Sequence, residues 1–171
     1  MKPQKRISPP RRAKKQDRFE RASVLWRRGN VRSAFTLFLE AAKEGDESAQ
    51  VNVGYFFDVG LGTRRNGRRA LYWYKRAYEQ GSAIAASNIG TMHRDAGKVA
   101  KALQWFAKAL RRGDQDAALE IGKLYYAARG DLRRARRYFG IAMASDTVTE
   151  ATQEEAASLL KKLDKAPKTT V

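Results

Sequence analysis

Cysteine is absent from this 171-residue chain and histidine occurs once. Without thiols there is neither a disulfide framework nor a thiolate metal site, and a lone imidazole cannot form a histidine cluster. A chain built without disulfides fits a reducing, cytoplasmic compartment. No stretch approaches the roughly eighteen consecutive apolar residues of a membrane span. The N-terminal MKPQKRISPPRRAKKQDR is basic but lacks the apolar run of a secretory signal. A soluble protein, not exported by that route, is expected. Acidic side chains are scarce, 18 against 35 lysines and arginines, for a formal net charge of +17. Residues 1–18 hold eight of the cations against Asp17 alone, so tail and body are both basic. Such a charge favours encounter with nucleic acid, an anionic membrane or an acidic protein, without choosing among them.

What the chain does contain is 43% hydrophobic residues, enough for a core of ordinary size, and an internal repeat. VRSAFTLFLEAAKEGD, RRALYWYKRAYEQGS, AKALQWFAKALRRGD and RRARRYFGIAMASD superpose. Their alignment puts Ala34, Ala70, Ala102 and Ala135 in one column, Phe38, Tyr74, Phe106 and Phe139 in a second, and Ala41, Ala77, Ala109 and Ala142 in a third. Small, aromatic and small residues at steps of four and three lie on one face of an α-helix. Gly45, Gly81 and Gly113 stand where three of these helices should end.

Ahead of each lies a less charged helix. AQVNVGYFFDVG, AASNIGTMHRDAG and AALEIGKLYYAARG align on Gly54, Gly90 and Gly122, and RFERASVLWRRG supplies the first with Ala22 in the small position. A glycine inside a helix costs about 1 kcal/mol relative to alanine, so its recurrence at one register predicts a partner helix packed against the backbone there. After Asp146, the T-x-x-E of Thr152 to Glu155 reads as a capping box opening a last helix that closes the stack. The fold class expected is all-α, an α-solenoid of about four antiparallel helix pairs plus a C-terminal capping helix. Its expected extent is residues 17–164, between a disordered basic arm over 1–16, with Pro9 and Pro10, and a disordered tail over 165–171.

At these residues the chain resembles the Sel1-like repeat family, SLR, relatives of the tetratricopeptide repeats. Val51 to Gly81, VNVGYFFDVGLGTRRNGRRALYWYKRAYEQG, carries the resemblance most fully. It has the aliphatic-glycine pair Val53-Gly54, an aromatic at Phe57, the glycine turn Gly60-Leu61-Gly62, then Ala70, Trp73, Tyr74, Ala77 and Gly81. The resemblance extends over residues 17–146; the first, third and fourth repeats lack the extra glycine turn and look closer to plain tetratricopeptide units. His93 stands where the family usually has an aromatic. The resemblance implies a solenoid that presents a concave surface to other proteins, and it implies no chemistry.

The interleaved rings and cations of Arg64 to Gly81 invite a base-stacking reading, but Trp73 shares a column with Leu37, Trp105 and Tyr138, and Tyr74 with three phenylalanines. Positions that accept Leu or Phe are packing positions, so Trp73, Tyr74, Trp105, Phe106 and Phe139 are read as core. Arg64, Arg65, Arg68 and Arg69 flank one interhelical turn, and Arg129, Arg133, Arg134, Arg136 and Arg137 take the matching place in the last repeat. They read either as a solvated face or as a basic edge for docking. His93, in register with Phe57 and Tyr125, reads as a packed histidine. GLGTRRNG lacks a Walker Lys-Ser/Thr ending and follows no strand.

If the first helices line the concave side, as the resemblance implies, their outward positions follow from the glycine register: Ser23, Trp26 and Arg27; Tyr55, Asp58 and Val59; Thr91, Arg94 and Asp95; Lys123, Tyr126 and Ala127. These mix Trp, Tyr and Arg, the residues enriched at binding hot spots. The partner groove is centred on Trp26, Tyr55, Arg94 and Tyr126, the competing reading being that these residues pack between repeats. The function expected is a non-catalytic protein-interaction scaffold for an acidic partner, in a sharper form an immunity-type inhibitor. The alternative is a nucleic-acid-associated protein that holds RNA or DNA phosphates with the arm and the arginine edge. No catalytic, cofactor or metal residues are assigned, because nothing places a nucleophile, a base and an electrophile stabiliser together. A capped solenoid favours a monomer.

Overall fold

A computed structural model describes residues 11–128 and 130–165. Residues 166–171 of the tail expected over 165–171, residues 1–10 of the expected arm, and Arg129 of the arginine cluster lie outside the described residues, whereas Lys165 is described and helical. The described residues form helices and turns without strands, divided between two compact units, Met1–Gln80 and Gly81–Val171.

The first unit holds α1 (Arg11–Arg27), α2 (Val31–Lys43), α3 (Glu47–Val59) and α4 (Gly67–Glu79); consecutive helices pack on one another. Helix α1 begins at Arg11, so residues 11–16, expected within the disordered arm, are helical. Arg, Ala, Lys and Gln are strong helix formers, and this local preference prevails over the charge that suggested disorder. N-cap side chains start the other helices: the Asp46 carboxylate accepts from Ala49 N at 2.7 Å and Asn66 Oδ1 from Arg69 N at 3.0 Å. Gln50, wholly buried, is satisfied at both ends of its amide. Its Nε2 donates to the Ala42 carbonyl at 3.1 Å, and its Oε1 accepts from Gln80 Nε2 at 2.7 Å.

The second unit holds α5 (Ala83–Asp95), α6 (Val99–Arg111), α7 (Asp116–Ala128), α8 (Leu132–Met143) and α9 (Glu150–Lys165). The last helix starts earlier than the capping-box reading placed it. Thr149 is its cap, its Oγ1 accepting from Thr152 N at 3.2 Å, and Thr152 instead donates its hydroxyl to Asp116 Oδ1 at 2.8 Å. Either threonine could open a helix locally; the tertiary bond to α7 takes Thr152. Ala156 and Leu163 of α9 bury against a core that includes Ala118, Ala135, Phe139 and Ala142, covering the outer face of α8 as a closing helix should.

The repeat columns are the core. Ala34, Phe38 and Ala41 of α2 and their counterparts in α4, α6 and α8 are buried without exception. The helix glycines explain how hairpins close so tightly. A Cβ built on Gly54 would lie 2.5 Å from Tyr74 ring carbons, one on Gly90 2.8 Å from Phe106, and one on Gly122 2.5 Å from Phe139. Carbon atoms in good contact sit about 3.5–4.0 Å apart, so the aromatic of each second helix occupies the space that a side chain at the glycine would fill. Trp73 is also buried and Trp105 half-buried, as packing positions require.

Candidate interaction surfaces

The first-helix positions fare differently in the two units. In the first, Trp26 is half-buried: its ring lies 6.0 Å from Phe38, 5.2 Å from Phe56 and 6.0 Å from Tyr55, centroid to centroid. It therefore serves packing between α1, α2 and α3 as well as presenting an edge. Tyr55 leans on Trp26 and is still 40% exposed, next to Val59 at 51%. Arg27 is exposed, Ser23 donates its hydroxyl to the Phe19 carbonyl at 2.9 Å, and Asp58 is half-buried. Phe56 is the core aromatic that the glycine register did not single out.

In the second unit the groove cations already have partners. Arg94 of α5 pairs with Asp95 at 3.0 Å and with Glu120 of α7; Lys123 of α7 pairs with Glu120 at 3.2 Å and with Glu155 of α9 at 2.8 Å. Cation and carboxylate thus alternate across three helices. Burial lowers the pKa of both Arg94 and Lys123, but hydrogen bonds and charge from Asp95 and Glu120, and from Glu155 and Glu120, outweigh it and raise each above its ordinary value. The sequence reading did not single out Glu120 and placed Glu155 only in a capping box; the local signal for the network was the i,i+3 spacing of Glu120 and Lys123. Thr91 is half-buried, Ala127 is exposed, and Tyr126 is 39% exposed. His93 is half-buried, consistent with a packed histidine.

Each arginine cluster lines a cleft where its hairpin opens. In the first unit a cleft of about 380 Å³ is bounded by Phe57, Thr63, Arg64, Arg65, Asn66 and Arg69. The Arg69 guanidinium sits over the Phe57 ring, 5.4 Å from its centroid, and Arg65 Nε donates to the Asp58 carbonyl at 2.7 Å. In the second, Asp131, Arg133, Arg134 and Arg137 line a cleft of about 390 Å³. Arg134 repeats the stacking on Tyr125 at 5.3 Å but also pairs with Asp131 at 3.5 Å. Arg136 turns to Asp164 of α9. Arg68 is exposed beside the first cleft.

Helical hairpins that recur every 32 to 36 residues, three of them closing on an intrahelical glycine, and that stack on one another within each unit define an α-solenoid repeat protein. Residues 27–46 and 47–82 match the Sel1 repeat, and residues 82–113 match the tetratricopeptide repeat. The chain belongs to the Sel1-like repeat proteins, with tetratricopeptide character in its third repeat. Among solved structures it is similar to a Sel1 repeat protein from Oxalobacter formigenes, at 27% identity and a TM-score of 0.72 over 91% of this chain. It spans 64% of that chain. A protective antigen of uropathogenic Escherichia coli with an SLR fold shares the architecture at 18% identity and a TM-score of 0.70, over 87% of this chain and 34% of its own. The chitin synthase regulator SKT5 of Malassezia restricta is 40% identical over 52 residues, which are 30% of this chain and 4% of that protein. Repeat proteins of this kind bind protein partners and are usually non-catalytic. Among the described residues no helix is long and apolar enough to cross a membrane.

Proposed function

We propose that this chain is a non-catalytic scaffold that grips an acidic protein partner on the first-helix faces of its repeats. The observation that carries the reading is the exposure of Tyr55 and Tyr126, at 40% and 39%, in a fold whose column aromatics are buried. Tyrosine supplies a large contact at small entropic cost and recurs at hot spots. The acidic character of the partner rests on the arginine clusters rather than on Arg94 and Lys123, whose charges are matched inside the unit. The narrower form, an immunity-type inhibitor, differs in requiring one dedicated partner held in fixed stoichiometry. Quantitative affinity capture at moderate salt, with wild type against Tyr55→Ala and Tyr126→Ala, tests the reading. Loss of about 2 kcal/mol of binding per hot-spot tyrosine with unchanged helical circular dichroism supports it; undiminished capture by both variants contradicts it.

A second reading is favoured by one observation: Arg64, Arg68, Arg133 and Arg137 are exposed, and no ion pair among the described residues involves them. Such cations, with the arm, could hold RNA or DNA phosphates. Binding of that kind would be indifferent to sequence and fall with salt at a log-log slope of about −0.7 to −0.9 per phosphate neutralised. Single-stranded RNA titrated at several salt concentrations, with and without residues 1–10, distinguishes it; absent or salt-insensitive binding rules it out.

A further inference from the structure

The two arginine-lined clefts have the same construction but differ at one position. Asn66 and Asp131 occupy the same repeat register, four residues before Ala70 and Ala135, and each caps its helix by accepting from the backbone N–H three residues on, at 3.0 Å in both cases. Each is followed by an arginine stacked on the aromatic of the preceding helix. The fourth repeat has a carboxylate at the cap, which neutralises Arg134 in place. The second repeat has a neutral amide there. Among the described residues no acidic side chain lines its cleft, and none of Arg64, Arg65 and Arg69 makes an ion pair.

The loop that carries these arginines is held from three sides. Gly62, at φ +65°, lies against the start of α2, where a Cβ would stand 2.8 Å from the Val31 carbonyl oxygen. A Cβ on Gly60, at φ +78°, would stand 3.2 Å from Arg65 Cβ, and Asn66 N donates to the Phe57 carbonyl at 2.7 Å. Arg65 is aimed by its bond to the Asp58 carbonyl and Arg69 by its seat on Phe57. Guanidinium groups fixed this way lose little entropy when an anion arrives, and Thr63 and Asn66, the N-cap of α4, line the same cleft. Because Phe57 is only 4% exposed beneath Arg69, no ring is available for a base to stack on.

We propose that this cleft is an oxyanion-binding site, which anchors a carboxylate or phosphate group on a side chain of the protein partner. Only the source of the oxyanion rests on the scaffold reading; the cleft itself can be tested with a small anion. The experiment is amide chemical-shift titration of the full chain with inorganic phosphate, comparing wild type with Asn66→Asp and Asp131→Asn. Aspartate caps a helix as well as asparagine does, and it already serves at residue 131, so neither exchange threatens the fold. In the wild type, shifts should concentrate at residues 63–69. Asn66→Asp should weaken the titration about tenfold, as one added negative charge a few ångströms away requires in a high effective dielectric, whereas Asp131→Asn should create a second set of shifts at residues 132–134. Shifts spread evenly over exposed cations such as Arg111, or an Asn66→Asp variant that titrates like wild type, overturn the site. The source is decided by an Asp/Glu-rich peptide, its phosphoserine counterpart and a single-stranded oligonucleotide. Movement of the 63–69 amides by either peptide supports the protein partner, and movement by the oligonucleotide alone overturns that assignment.

Discussion

Replacing Gly122 by alanine sets two effects of opposite sign against each other. Helix propensity favours alanine by about 1 kcal/mol, and the backbone at Gly122 is helical, so no conformational strain opposes the exchange. Against this, the new Cβ would stand 2.5 Å from two ring carbons of Phe139, about 1 Å inside normal contact. Phe139 is fully buried and cannot swing aside, so the cost belongs near the top of the overpacking range, about 3 kcal/mol. The net expectation is a loss of about 2 kcal/mol, or a melting temperature lower by about 4–8 °C for a chain of this length. Gly140, next to Phe139 in the same helix, is the internal control: a Cβ there meets nothing within 4 Å. Gly140→Ala should raise the melting temperature by about 2–4 °C. Thermal denaturation of both variants reads the difference, and combining Gly122→Ala with Phe139→Leu should cost less than the sum of the two. A Gly122→Ala variant as stable as wild type or more so would refute the close-approach argument, since propensity alone predicts that outcome.

Burial pushes the Tyr74 phenol above its ordinary value of 10.0, with the charges of Asp58 and Tyr55 adding to the effect. Above pH 10 the unfolded chain releases a proton that the folded chain keeps, so stability contributed by Tyr74 is complete below pH 10 and falls as pH rises, by up to about 1.4 kcal/mol per pH unit. Urea denaturation across that range should show a shallower decline for Tyr74→Phe. Gln50→Leu should cost about 1 kcal/mol in chemical denaturation, because it removes a buried hydrogen bond to the Ala42 carbonyl. Gln80→Ala should cost a comparable amount, because it leaves the Oε1 of the wholly buried Gln50 without its donor.

The sequence by itself determined the repeat. Its columns of alanine, aromatic and glycine recur at helical spacing, and because each hairpin packs on its neighbours, local pattern and tertiary packing coincide in such a fold. That is why the buried state of Tyr74, Phe106 and Phe139 and the glycine contacts were legible in one dimension. Charge was less legible. Arg94 and Lys123 looked like groove cations until α5, α7 and α9 brought Glu120 and Glu155 to them from 26 and 32 residues away. The same limit moved the start of α9, because the competition between Thr149 and Thr152 was settled by Asp116 on another helix. The arginine clusters show both sides. Their repeat-equivalent placement was visible in sequence, but whether the stacked arginine meets a counter-charge depends on the cap beside it, the amide of Asn66 or the carboxylate of Asp131, and on rings beneath it that only the folded hairpin supplies. Periodicity encodes packing because packing partners repeat with it, whereas electrostatic partners are set by distances that the chain closes only when it folds.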